Sequence, residues 1–141
     1  MDDRALIKAA FEAMQRAYAP YSRHKVGAAL LLGSGEVVTG CNIENAAYGP
    51  TVCAERTAIF KAVSEGHSDF IKIAVVGGKD GKVENHSFPC GVCRQVMAEF
   101  CAPDFEIITA KSEDDYVVCK LSELLPHSFG AANLDGGGEE K

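Results

Sequence analysis

Apolar residues Leu6, Ala10, Ala13, Met14 and Ala17 recur at helical spacing and predict an amphipathic helix over residues 3–18. Pro20 and Ser22 end it. The pattern then changes. Residues 26–32 are a continuous apolar run fit for a buried strand, Gly33-Ser34-Gly35 is a tight turn, and residues 36–41 read as the returning strand. A polar loop bearing glycine and proline follows at 42–50. A second helix is predicted over 52–65, stopping at Gly66. The β-branched run 71–76 predicts a third strand, and 77–88 a loop that turns at Asp80-Gly81. A third helix starts after Pro89-Cys90 and reaches Phe100, with Pro103 as its breaker. Residues 105–110 and 116–119 read as two more strands, and 121–125 as a short helix. Helices alternating with strands after one hairpin predict an α/β fold, a mixed sheet of about five strands with helices on its faces. Residues 1–130 read as a single domain, and the weakly apolar 131–141 as a flexible tail.

Composition narrows the partners. With 141 residues the chain can bury one real core, so disulfides are not needed to hold it together. Its net charge of −6 argues against a nucleic-acid partner, which calls for a basic face. No run of about 18 apolar residues is present, so neither a membrane span nor a membrane partner is expected. The start, Met1-Asp2-Asp3-Arg4, is acidic and lacks a signal-peptide core, so the expected location is the cytoplasm. There, six cysteines serve metal binding or catalysis rather than disulfides.

The chemistry concentrates in Cys53-Ala54-Glu55 and Pro89-Cys90-Gly91-Val92-Cys93. Three cysteines in two groups suit Zn²⁺. Cys90 and Cys93 are three apart, hence on one side of a first helical turn, and Cys53 stands near the start of the other helix. Both groups thus sit where a helix dipole and unpaired N–H groups favour thiolates. Glu55 aligns with Ala58, Ile59 and Ala62 and so lies on the buried face of its helix. A buried carboxylate is costly, which marks it as functional. Inside an ideal helix Cys53 and Glu55 would point roughly 200° apart, so they share a site only if it lies off the helix end. Three protein ligands leave one zinc position open, as in catalytic sites, where zinc generates hydroxide from water and a nearby glutamate moves the protons.

These motifs resemble those of the small, free-nucleoside, zinc-dependent cytidine deaminases, and Pro-Cys-x-x-Cys is a zinc-deaminase signature. Besides Cys53-Ala54-Glu55-Arg56-Thr57-Ala58 and Pro89-Cys90-Gly91-Val92-Cys93-Arg94-Gln95, the run Asn42-Ile43-Glu44-Asn45-Ala46 resembles the family's ribose-binding loop. Glu123-Leu124-Leu125-Pro126 with Ser128-Phe129 resembles its C-terminal signature, so the likeness spans about residues 16–129. It implies a three-layer α/β/α fold and a homotetramer with sites shared between subunits. It implies hydrolytic deamination of cytidine and 2′-deoxycytidine to uridine and 2′-deoxyuridine plus ammonia, in pyrimidine salvage. One zinc per subunit would be held by Cys53, Cys90 and Cys93, with Glu55 as proton shuttle to zinc-bound hydroxide. Asn42 and Glu44 would hold the ribose hydroxyls, the Ala54 backbone would meet the pyrimidine, and Val26 would line the pocket. Arg56 would hydrogen-bond the thiolates, and Phe129 would reach a neighbouring subunit's base. The family commonly has Ser-x-Phe-Pro-Val-Gly after the first helix. Here the run is Ser22-Arg23-His24-Lys25-Val26-Gly27, so His24 stands where a phenylalanine meets the base.

Other readings compete. A structural zinc site needs a fourth ligand, and Cys101 is roughly 12 Å from Cys93 along a helix. Cys41 and Cys119 read as buried small apolar residues, and a redox Cys-x-x-Cys leaves Cys53 unexplained. A zinc deaminase acting on a polynucleotide or a nucleoside antibiotic is a rival, as is a non-catalytic zinc module. The acidic charge disfavours the polynucleotide, and a buried Glu55 disfavours the module. His67, His86 and His127 read as surface or loop residues; for Phe129 the competing reading is a core aromatic, and for His24 a surface histidine.

Overall fold

The computed structural model describes residues 1–134. Its helices are α1 (Asp3–Met14), α2 (Ala54–Ser64), α3 (Gly91–Phe100) and the single turn α4 (Leu121–Leu124), with a 3-10 turn at Ala131–Asn133. Its strands are β1 (His24–Leu32), β2 (Val37–Cys41), β3 (Phe70–Lys79), β4 (Glu106–Ser112) and β5 (Asp115–Lys120). They form one sheet in the order β2-β1-β3-β4-β5. Strands β3 and β4 pair parallel and the other neighbours antiparallel, so the sheet is mixed.

The largely apolar sequences of β1, β3 and β4 follow from helices on both faces. Successive strand residues point to opposite sides. Ala28, Leu30, Leu32, Ile73, Val75 and Ile107 meet Ala58, Ile59 and Ala62 of α2 and Met97 of α3. Their neighbours Ala29, Leu31, Ala74, Val76 and Ile108 face the other way, onto Leu6, Ile7, Ala10 and Met14 of α1. The result is three layers, α/β/α, with α2 and α3 sharing one face. Among the described residues, no helix is long and apolar enough to cross a membrane.

Three details differ from expectation. Helix α1 stops at Met14 rather than at residue 18. Tertiary pairing claims the backbone beyond it: Tyr18 N–H donates to Asn42 O (3.0 Å), and Glu44 N–H donates to Tyr18 O (2.8 Å). Strand β3 continues through Gly77 and Gly78 to Lys79, where a loop was expected, because His24, Lys25 and Val26 of β1 supply pairing partners. A side chain is excluded at Gly78, where a Cβ would lie 1.9 Å from Lys82 O. Cys41 and Cys119 are only half-buried, since they lie on the edge strands. Of the predicted tail, 131–134 carries the 3-10 turn and 135–141 lies outside the described residues.

Candidate active site

Cys53 and Cys90 each occupy the N-cap position of a helix, α2 and α3 respectively, in extended backbone. Neither thiol caps its helix. The sulfurs instead approach each other, Cys53 to Cys90 at 3.7 Å and Cys90 to Cys93 at 3.6 Å, with all three within 4.8 Å. Tetrahedral zinc with sulfur at about 2.3 Å calls for sulfurs roughly 3.8 Å apart. The donor set therefore fits Zn²⁺ in both chemistry and spacing. Cys93 is fully buried beneath the other two. Cys101 caps the far end of α3 and is not part of the cluster.

The N-cap placement also meets the geometric demand on Glu55. Because Cys53 stands outside the helix, its sulfur and the Glu55 carboxylate open onto one cavity beyond the helix end. That cavity measures about 620 Å³, within the usual range for small-molecule sites. Position 40 sets how closely α2 approaches. A Cβ on Gly40 would lie 2.5 Å from Ala58 N and 2.7 Å from Ala54 O, so α2 packs directly on the β2 backbone. Ala54 is fully buried in that contact.

Glu55 is only 4% exposed. Burial pushes its carboxyl up to about 7, opposed by its own backbone N–H and reinforced by the charge of Cys53. The thiols are just as unequal. A hydrogen bond from Cys93, with further help from Arg56 and Cys90, draws Cys53 down to about 5. Cys93 moves the opposite way, since it gives its proton toward Cys53. Arg56 Nη2 donates to Cys53 Sγ at 3.4 Å, while its buried Nε has no partner among the described residues.

The opposite wall of the cavity includes Val26, His24, Asn42 and Glu44. Asn42 is 9% exposed; its Oδ1 accepts from Val26 N–H (2.9 Å) and its Nδ2 donates to His24 O (2.7 Å). That leaves one amide proton and spare acceptor capacity for a ligand. Glu44 Oε1 accepts from the N–H groups of Tyr21 (3.0 Å) and Ser22 (3.1 Å), and Oε2 accepts from the Ser22 hydroxyl. Those bonds, the Ser22 hydroxyl first, hold Glu44 below its ordinary range. About one of a carboxylate's four lone-pair sites then remains open. His24 is exposed and faces the cavity from the start of β1, directly opposite Lys79.

Sequence reasoning missed two parts of the site. One is Ser22, whose hydroxyl donates to Glu44 while accepting from His24 N–H (3.0 Å). The other is the wall carrying His86, Ser87 and Phe88. His86, read as a surface residue, is half-buried; its Nδ1 lies 3.1 Å from Thr109 O and its Nε2 3.8 Å from Asp115. The available signal was an aromatic, Phe88, immediately before Pro89-Cys90. Phe129 does not line this cavity and is not core: it is 59% exposed.

Comparison with known proteins agrees with this geometry. Residues 1–109 match the family model described as the cytidine and deoxycytidylate deaminase zinc-binding region. A cytidine deaminase of Halalkalibacterium halodurans is 50% identical over 135 residues, covering 96% of this chain and 99% of its own. One from Sporosarcina psychrophila is 44% identical over 140 residues, covering 99% and 100%. The crystal structure of cytidine deaminase from Burkholderia pseudomallei superposes with a TM-score of 0.84 at 46% identity, covering 92% of this chain and all of that one. The cofactor is zinc, with which the three-sulfur cluster is compatible. The chain thus belongs to the zinc-binding cytidine and deoxycytidylate deaminase family.

Proposed function

We propose that the protein hydrolytically deaminates cytidine and 2′-deoxycytidine, giving uridine or 2′-deoxyuridine and ammonia, and serves pyrimidine salvage in the cytoplasm. The observation that carries this reading is that the buried Glu55 lines the same cavity as Cys53 and Cys90 of the three-sulfur cluster. Those three thiolates are the zinc ligands. Zinc held there supplies Lewis acidity that makes water nucleophilic near neutral pH. Glu55 takes one proton from the attacking water and passes it to the ring nitrogen, then takes the second from the hydroxyl newly bonded to carbon and passes it to the amine, which leaves as ammonia when the C–N bond breaks. A carboxyl raised to about 7 suits both halves of that task, since it gains and loses a proton readily near neutrality. Arg56 offsets the excess negative charge of three thiolates around one divalent ion.

The rest of the site holds the nucleoside. Glu44 and Asn42 take the ribose hydroxyls, each with hydrogen-bonding capacity left after its protein bonds. The Ala54 backbone and Val26 meet the pyrimidine, and His24 lies along the base where relatives commonly place phenylalanine. Phe129 closes the site from a neighbouring subunit of a homotetramer. Its exposure, and its absence from the chain's own cavity, support a role in trans. The test is the loss of cytidine absorbance on adding zinc-loaded protein, with single-stranded DNA assayed in parallel. Conversion of both nucleosides with no reaction on DNA is expected. Unchanged nucleosides would remove the proposal.

A further inference from the structure

The motif residues Arg94 and Gln95 touch neither the sulfur cluster nor the cavity. Their side chains are nevertheless committed. Arg94 Nε donates to Pro89 O at 2.7 Å, the carbonyl just before Cys90, and its Nη1 donates to Leu124 O at 2.8 Å. Gln95 Nε2 donates to Phe129 O at 2.9 Å. The N-terminal half of α3 therefore grips the C-terminal segment at two points, on either side of a bend at His127 (φ 53°). Beyond Phe129 the chain is tied again, by Gly130 N–H donating to Asn133 Oδ1 at 2.8 Å. A ring 59% exposed would ordinarily be costly to order. Here the backbone on both sides of it is held while the side chain stays off its own core.

We propose that Gln95, braced by Arg94, is a positioning residue for catalysis in the neighbouring subunit: it fixes the backbone that presents Phe129 to that subunit's nucleobase. The inference rests on the shared-site proposal above. The cavity of a given chain is lined by none of that chain's described residues beyond Cys90, so any help from Gln95 through Phe129 reaches a different copy. Losing the bond frees the segment without touching zinc, Glu55 or the ribose contacts. The expected effect is weaker substrate binding with the chemical step preserved.

The experiment uses Gln95→Ala and the length-preserving Gln95→Met, each in the full chain with zinc content and oligomeric state verified. Both variants should raise KM for cytidine by roughly fivefold to tenfold, as loss of one side-chain-to-backbone hydrogen bond allows, with kcat within about twofold. The decisive step is complementation. Gln95→Ala subunits are co-expressed with excess Glu55→Gln subunits, and the mixed tetramer is purified through two tags. All turnover then occurs in Gln95→Ala subunits, whose neighbours carry an intact Gln95. Recovery of the wild-type KM supports action in trans. A KM that stays high in the mixed tetramer overturns it, because the defect then lies within the subunit, as does an unchanged KM in both single variants. Phe129→Ala is the separate control. If it leaves KM unaltered, the shared-site reading itself fails and this inference with it.

Discussion

Glu55 and Glu44 open onto the same cavity, yet their surroundings drive them apart. Glu55 follows the N-cap Cys53 into α2, loses its water and is pushed up to about 7. Glu44 sits in a loop, surrounded by donors from Tyr21 and Ser22, and is held below its ordinary range. One carboxylate is made easy to protonate and the other is kept anionic. Two glutamates thus acquire separate duties, proton carrier and fixed acceptor for hydroxyls, through desolvation in one case and hydrogen bonding in the other.

The most drastic way to break this contrast is to disable the cluster beside Glu55. Cys93→Ala removes a buried thiol that the other two surround, and bound zinc and turnover should both fall to background when metal content and cytidine conversion are measured together. A gentler change isolates the burial of Glu55. Its folded value lies above the 4.5 expected when unfolded, so the folded state keeps a proton that the unfolded chain releases between those values. Stability is therefore lost as pH rises from 4.5 through about 7, and the loss is complete above that. In the metal-free protein Glu55→Gln should stabilise by about 3 kcal/mol at pH 8 and by almost nothing below pH 4.5. Denaturant midpoints across that range check it, and a gain independent of pH would contradict the burial argument. The smallest effect is expected at Ser22. Ser22→Ala removes one donor to Glu44 and should raise KM for cytidine by about threefold, with kcat unchanged.

What could be read from the chain divides along similar lines. The strands were legible because a sheet covered on both faces demands long apolar runs; 26–32 is wholly apolar, and Lys72 alone interrupts 71–76. The sulfur cluster and Glu55 were legible because their chemistry depends on short spacings at helix starts. The end of α1 was not, since Tyr18 continues a plausible helical stripe and only pairing with residues 42–44 diverts it. Strand β3 ran further than expected because two glycines, ordinarily breakers, are required where the Lys82 backbone passes. Ser22 and His86 were missed for one reason. Each acts through a contact distant in sequence, Ser22 with Glu44 and His86 with Thr109, and neither leaves a periodic trace.

The division of labour between the two carboxylates is tested most directly by comparing Glu55→Gln with Glu44→Gln, measuring kcat, KM and bound zinc for both against wild type. Glu55→Gln should keep its zinc and lose kcat by roughly a thousandfold or more, since the amide takes no proton from water. Glu44→Gln should raise KM by roughly tenfold to a hundredfold, the loss of a charged hydrogen bond to substrate, with kcat within a few-fold. A Glu55→Gln protein that turns over cytidine at close to the wild-type rate, or a Glu44→Gln protein whose defect lies wholly in kcat, would contradict the account.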